Sequence, residues 1–186
     1  ALLHILGRMS KQELTHNVVE SELREILHER DGTKIDRLHE LITEAVIVDL
    51  EGPLEIDDLF NSASEALSDK LDMDASEIFS LLKQGEKKYS TVITPFVAVP
   101  HIQIPGEDRF KILVARCLGG IKFSSDKDSV EAVFILASSA DETNFALRTL
   151  AAIGHIIHAH GFKTLWREAK NKHQIRDILL LSDGVR

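Results

Sequence analysis

The chain of 186 residues is short of the features that several classes of protein require. Its single cysteine, Cys117, excludes an internal disulfide and a zinc site built on several cysteines, and its apolar surroundings predict a buried, unreactive thiol. Aromatic residues make up 5% of the chain, so the core must be mainly aliphatic. No apolar run approaches the roughly 20 residues that cross a bilayer, and no segment resembles a cleavable signal.

Basic residues are also in deficit. Lysine and arginine total 22 against 30 acidic residues, and the formal net charge of −8 argues against nucleic-acid binding and against an anionic membrane surface. Nucleotide binding lacks support too, because Gly119-Gly120 has neither dinucleotide-binding spacing nor a P-loop lysine. We therefore expect a cytoplasmic chain with no cofactor. The hydrophobic content of 44% is sufficient for one core.

Apolar runs and helical periodicities alternate along the chain. The branched residues of Val46–Leu50 and the apolar run Val130–Leu136 predict strands, whereas the apolar spacing within Asp57–Leu71 predicts a helix. Further strands are predicted at Val97–Val99 and Arg109–Leu118, and further helices at Ile35–Glu44, from Asp74 onward, around Leu147–Ile157 and at Gln174–Leu181. This alternation predicts an α/β fold, with a mixed sheet of about five strands and helices on both faces.

The N-terminal segment differs from the rest of the chain. Residues 1–36 are predicted to form a helical extension or linker, with an amphipathic, glutamate-rich helix over Gly7–Asp31, and residues 37–186 are predicted to form the main domain. The stretch Glu22–Asp31 faintly resembles the cytoplasmic tails of amino-acid permeases. A fused transporter membrane domain upstream is therefore one expectation, and a packing or dimerisation helix is the other.

One histidine stands out because it directly follows an apolar run that ends in proline. Pro100 fixes its own φ angle and favours extended geometry at Val99, so Val97–Val99 is predicted to end a strand and His101 to be the first loop residue. An uncharged imidazole has one ring nitrogen free to attack phosphorus while the other donates a hydrogen bond. His101 is thus a candidate nucleophile, with an ordinary solvated loop residue as the alternative.

The residues around His101 resemble the IIA domain of the phosphotransferase system, of the fructose and mannitol type. In that family a Ser-Thr pair precedes a short strand that ends in Ala-aliphatic-Pro-His, and this chain matches that motif without a gap, within a likeness that extends from about Leu38 to Leu181. The matching residues are Ser90, Thr91, Ala98, Val99, Pro100 and His101. The resemblance implies that His101 accepts a phosphoryl group from the carrier protein HPr or a paralogue, with Thr91 and Ser90 supporting the phosphate.

The chain departs from the family at three places. Gly85-Glu86 stands where the family carries an Arg-Glu pair, and Thr94-Pro95-Phe96 replaces small residues before the histidine strand. Glu142-Thr143-Asn144-Phe145 stands where members that pass phosphate to a sugar transporter tend to carry a second histidine. These changes predict a narrower, less cationic pocket. Lys87 or Lys88 could replace the missing guanidinium, although an ammonium cannot make the same two-pronged contact.

Three functional hypotheses follow from these matches and departures. The first is a IIA-like regulatory domain, the cytoplasmic part of a membrane transporter, that responds to phosphorylation of His101. The second is a working phosphocarrier, that is, a phosphohistidine-type phosphotransferase. The third is a non-catalytic assembly module, and a homo-oligomer is left open in each case.

A second group of histidines lies near the C-terminal end of the chain. His155, His158 and His160 have a spacing that could place ligands on one helical face. No carboxylate or cysteine completes the set nearby, and Gly161 indicates that the helix ends there. We therefore predict no metal site.

Overall fold

A mixed β-sheet organises the fold in the computed structural model of the chain, which describes residues 37–88, 90–123 and 129–181. The helix predicted over Gly7–Asp31 and the proposed extension 1–36 lie outside these residues. The strands are β1 (Val46–Leu50), β2 (Leu54–Glu55), β3 (Val92–Thr94), β4 (Val97–Ala98), β5 (His101–Gln103), β6 (Phe110–Lys122) and β7 (Ser129–Ser138).

The sheet has five strand positions, in the order β1-β6-β7-β4-β3. Strand β2 continues the β1 position along β6, and β5 continues the β4 position along β7, so two positions hold two strands each. The long central pair β6–β7 is antiparallel, whereas β1 pairs with β6 in parallel and both β4 and β5 pair with β7 in parallel. The prediction of about five strands in a mixed sheet is confirmed.

Six helices accompany the sheet in the described part of the chain. They are α1 (37–43), α2 (Ile56–Leu71), α3 (Ala75–Lys88), α4 (Thr143–His158), α5 (Phe162–Glu168) and α6 (Lys172–Leu180). A short 3₁₀ turn, Ala140–Glu142, leads into α4. None of the described helices is both long enough and apolar enough to cross a membrane.

Two apolar cores confirm that helices cover both faces of the sheet. One core joins Phe134 and its neighbours on that face to α1, α4, α5 and α6, with Trp166 fully buried. The other core joins Ile135 and its neighbours to α2 and α3. Successive β7 residues serve opposite cores because side chains alternate across a strand, and a strand buried on both faces must be apolar throughout.

The strand predicted over Arg109–Leu118 does not end before Gly119-Gly120. The pair lies inside β6, where the register against β7 shifts between Arg116 and Ile121. Gly120 has a φ of +83°, and a Cβ on Gly119 would lie 2.3 Å from the Gly52 carbonyl carbon. Glycine therefore permits an irregular strand and a close approach to the β1–β2 connection, and the strand continues to Lys122.

A buried arginine ties the sheet to α5. Arg116 on β6 is 4% exposed, and its Nε and Nη2 donate to the two carboxylate oxygens of Asp49 at 2.8 and 2.5 Å. Its Nη1 donates to the carbonyl oxygens of Trp166 and Ala169 at 3.0 and 2.5 Å. The same guanidinium thus pairs with the Asp49 carboxylate and donates to carbonyls at the end of a helix, where the helix itself supplies no donor.

We predict that Arg116→Ala destabilises the domain strongly. The substitution removes the partner of Asp49, which is itself exposed, and leaves two buried helix-end carbonyls without a donor, and we expect a loss of about 2–4 kcal/mol of unfolding free energy. The matched control is Lys111→Ala on the same strand, whose exposed pair with Glu44 at 3.6 Å should contribute about 0–1 kcal/mol. Urea unfolding measures both, and equal effects of the two substitutions would show that the contacts of Arg116 contribute no more than the exposed pair of Lys111.

Candidate functional site

His101 lies at the rim of the sheet, where β4 ends and β5 begins. The prediction that it is a loop residue is wrong, because His101 opens β5 and pairs with Leu136 of β7. The backbone N–H of Leu136 donates to the carbonyl of Pro100 at 2.9 Å and bridges the interval between the two short strands. The imidazole is exposed while the next residue, Ile102, is buried, so strand alternation directs His101 away from the α2–α3 core.

The chain before His101 is held by local hydrogen bonds. Thr94 Oγ1 accepts from the backbone N–H of Phe96 at 3.3 Å and of Val97 at 3.0 Å, which stabilises the turn between β3 and β4. The N–H of Val99 donates to the carbonyl of Thr91 at 2.8 Å. Pro100 has no N–H to donate, so the sheet interrupts there and resumes at His101.

The imidazole lines a cleft of about 260 Å³ between β5, the end of β7 and the first half of α4. We call it the histidine cleft; it is lined by Val99, His101, Ile102, Gln103, Leu136, Ser138, Thr143, Ala146, Leu147 and Leu150. None of these described residues is a lysine or an arginine. The apolar spacing of α4 would suit burial of Leu147, Leu150, Ile153 and Ile157, but the first two are 60% and 38% exposed, whereas the last two are buried.

Thr91 and Ser90 do not line the histidine cleft in the described structure. Thr91 is buried, and its hydroxyl donates to Oε2 of Glu86 at 2.5 Å. Ser90 is exposed. The structure therefore joins Thr91 to the His101 strand through its backbone, while its hydroxyl proton is engaged by a carboxylate.

Position 85, where the family carries an arginine, lies beside the backbone of His101. Gly85 is on α3, and a Cβ built there would be 3.4 Å from the carbonyl oxygen of His101, an ordinary contact distance. Lys87 and Lys88, which follow it, are exposed, and neither lines the histidine cleft of the described structure. Lys87 lines a different cleft.

The three C-terminal histidines are not among the ligand sets that converge in the described residues. His158 Nδ1 lies 2.7 Å from the carbonyl oxygen of Gly154 on its own helix. The described residues bring only one set of three potential ligands close together, Asp108, Asp141 and Glu142, whose ligand atoms lie within 4.8 Å of one another. Cys117 is fully buried as predicted, and this burial raises the pKa of its thiol.

A family profile identifies the family of this chain. Residues 40–181 match the family profile of the phosphoenolpyruvate-dependent sugar phosphotransferase system, EIIA 2. The chain belongs to this family. Such IIA domains are phosphohistidine carriers. A comparison with curated proteins gives no match.

Solved structures agree with the fold. The nitrogen regulatory protein IIA-Ntr from Neisseria meningitidis is 21% identical with a TM-score of 0.68, over 76% of this chain and 98% of that one. IIA mannitol from Escherichia coli is 15% identical with a TM-score of 0.59, over 74% of this chain and 96% of that one. The complex of Escherichia coli IIA mannitol with phosphorylated enzyme IIB mannitol matches with 13% identity and a TM-score of 0.59, over 73% and 94% of the chains.

Sequence reasoning missed the contact between Glu86 and Thr91 and the residues of α4 that face His101. The sequence identifies Glu86 only as the neighbour of the missing arginine, and its partner lies five residues along the chain, beyond the end of α3. The available signal was the apolar pair Leu147 and Leu150, which falls on one helical face next to Thr143 and Ala146.

We predict that Thr91→Val lowers stability by about 1–3 kcal/mol, because the valine removes the hydroxyl donor and leaves a partly buried carboxylate oxygen of Glu86 unpaired. The matched control is Ser90→Ala at the neighbouring exposed position, which we expect to be within about 0.5 kcal/mol of the parent. Urea unfolding distinguishes the two. Equal stability of Thr91→Val and the parent would show that the bond to Glu86 contributes nothing.

Proposed function

We propose that this chain is a IIA-like regulatory domain in which His101 accepts a phosphoryl group from HPr or a paralogue and signals its phosphorylation state through protein contacts. The observation that supports this function is the position of His101: an exposed imidazole at the mouth of a cleft whose described lining contains no lysine or arginine. The first property permits phosphorylation, and the second lowers the stability of the product.

The phosphorylation step needs only the imidazole of His101 and a phosphorylated donor protein. One ring nitrogen of the uncharged imidazole attacks phosphorus, the new N–P bond forms, and the bond from phosphorus to the donor protein breaks in line with it. The leaving group is the donor side chain of HPr, which keeps the electron pair of the broken bond. The exchange thus begins with an exposed imidazole and a phosphorylated donor protein.

The magnitude of the missing contact explains why regulation is favoured over transport of phosphate. A charge-assisted hydrogen bond contributes about 1.5–3 kcal/mol, or one to two decades in an equilibrium constant. Without an arginine at position 85, phosphohistidine still forms, but its free energy relative to phospho-HPr is higher than it would be with the arginine. Thr143 of the cleft belongs to the segment 142–145, which stands where phosphate-transferring members tend to carry a second histidine, and this segment supplies no basic nitrogen.

The regulatory function includes a membrane transporter as the regulated partner. This part of the proposal rests on the resemblance of Glu22–Asp31 to permease tails, and it requires hydrophobic spans in the coding region upstream of Ala1. A start codon immediately upstream of Ala1 would remove the transporter from the proposal and leave the phosphorylation of His101 unaffected.

Phosphorylation itself is tested with phosphoenolpyruvate, enzyme I and HPr. We expect an acid-labile phosphate on the parent chain, its loss in His101→Ala, and its retention in His173→Ala, a matched substitution at an exposed histidine of α6. Mass spectrometry under alkaline conditions locates the phosphate. Absence of phosphate with competent cognate partners would leave only the assembly-module hypothesis.

The missing cation is tested by Gly85→Arg. A Cβ at this position would lie at an ordinary contact distance, 3.4 Å, from the His101 carbonyl oxygen, and we expect the ratio of phosphorylated to free domain at a fixed phospho-HPr ratio to rise about tenfold. Gly85→Ala is the matched control, since it reproduces the gain in helix propensity without the charge. Equal ratios for the two variants would show that a cation at this position does not support the phosphate.

A further inference from the structure

Gln103 lies next to His101 on one face of β5. The strand has the burial pattern exposed, buried, exposed over its three residues, so the side chains of His101 and Gln103 leave the sheet on the same side. Both line the histidine cleft. A rise of about 3.3 Å per residue puts their Cα atoms roughly 7 Å apart, an interval that a glutamine side chain can bridge toward a group attached to the imidazole.

The register with β7 places this face toward α4. His101 pairs with Leu136 and Gln103 pairs with Ser138. Leu136 belongs to the core on the α4 side of the sheet, and residues directly opposite each other in neighbouring strands share a face. The side chains of His101 and Gln103 are therefore directed to the same side of the sheet as the first half of α4, which forms the other wall of the cleft.

A phosphoryl group on His101 requires donors in this cleft. It carries about two negative charges, and its oxygens are strong acceptors. Because the described lining contains no lysine or arginine, uncharged side chains must donate. The Thr143 hydroxyl already donates to the carbonyl oxygen of Ala140 at 2.8 Å. Apart from the imidazole itself, the remaining polar side chains of the lining are those of Gln103 and Ser138.

Gln103 is the better placed of these two donors. Its side chain is exposed and makes no hydrogen bond with any of the described residues. The amide offers two N–H groups at the end of a long side chain, whereas Ser138 offers one hydroxyl on a short side chain of the next strand. A phosphoryl group can therefore engage Gln103 without breaking an existing bond.

We propose that Gln103 is a phosphate-binding residue, whose side-chain amide donates a hydrogen bond to an oxygen of the phosphoryl group on His101. This contact supplies part of the stabilisation that an arginine at position 85 would give, although a neutral donor binds phosphate less strongly than a guanidinium does. The role of Gln103 in the cell rests on the proposed function, because the residue acts only when His101 is phosphorylated.

Chemical phosphorylation tests the site without a partner protein. The reagent is phosphoramidate: the new N–P bond to the imidazole forms, the N–P bond of the reagent breaks, and ammonia leaves with the proton that the ring loses. Mass spectrometry under alkaline conditions gives the phosphorylated fraction of each histidine at a fixed ratio of phosphoramidate to ammonia. His173, which is exposed on α6, is the reference within the same molecule.

Variants of Gln103 separate the hydrogen bond from the shape of the side chain. Relative to His173, we expect Gln103→Leu to lower the ratio of phosphorylated to free His101 about fivefold. The isosteric Gln103→Glu should lower it further, because a carboxylate has no N–H and repels the phosphoryl oxygens. Gln84→Leu, the same change at an exposed glutamine of α3 outside the cleft, should leave the ratio unchanged.

NMR of the full ¹⁵N-labelled chain reports the contact itself. When the parent chain is phosphorylated with phosphoramidate, the side-chain amide protons of Gln103 should move downfield, while those of Gln84 stay in place. The same treatment should not move the Gln103 amide in His101→Ala. A side chain that only stabilises the strand would not produce this shift.

The proposal is overturned if His101 of the parent chain stays unphosphorylated, if Gln103→Leu matches the parent, or if the Gln103 side-chain amide does not shift. The proposed function fails separately. It fails if phospho-HPr does not load a chain that phosphoramidate phosphorylates at His101, and that result leaves the contact of Gln103 with the phosphoryl group intact.

Discussion

Strand β7 holds the functional rim of this domain in place. Two short strands, β4 and β5, pair with it in parallel on one side, and the long β6 pairs with it antiparallel on the other. The Pro100 carbonyl, which accepts from Leu136, keeps these two short pairings in one register across a residue that cannot donate. His101 therefore emerges at a fixed place although neither β4 nor β5 exceeds three residues.

For the binding of a phosphate, the positions of the charged residues around this rim matter more than the net charge of the chain. The sheet does contain an arginine, but it serves a structural contact. Arg116 is buried on the side of the sheet opposite α2 and α3, where it pairs with Asp49 and holds the end of α5. Two lysines of α3, Lys83 and Lys87, line a different cleft, next to α2 and the end of β6. The histidine cleft is left with apolar side chains and uncharged polar groups around His101, so an added phosphate would find few partners of opposite charge there.

Much of this fold could be predicted from local patterns, and the rest depends on which elements meet. The apolar run over β7 and the Pro100 constraint are local, so the central strand and the exposure of His101 follow from sequence. Periodicity places Leu147 and Leu150 on one helical face but does not tell whether anything covers them, and here they stay open beside His101. Gly119-Gly120 has the composition of a turn, yet the pairing with β7 carries the chain through it. The contact of Thr91 with Glu86 could not be predicted from local patterns, because it depends on where α3 ends.

The central claim is that His101 receives phosphate as a signal and does not pass it onward to a sugar transporter. The most direct test is a chase experiment, in which the domain is loaded with radiolabelled phosphate, separated from its donor, and offered unphosphorylated HPr and, separately, each IIB domain encoded in the same genome. We predict that the label returns to HPr and appears on no IIB domain. Transfer of the label to any IIB domain at a rate comparable with its return to HPr would contradict the account.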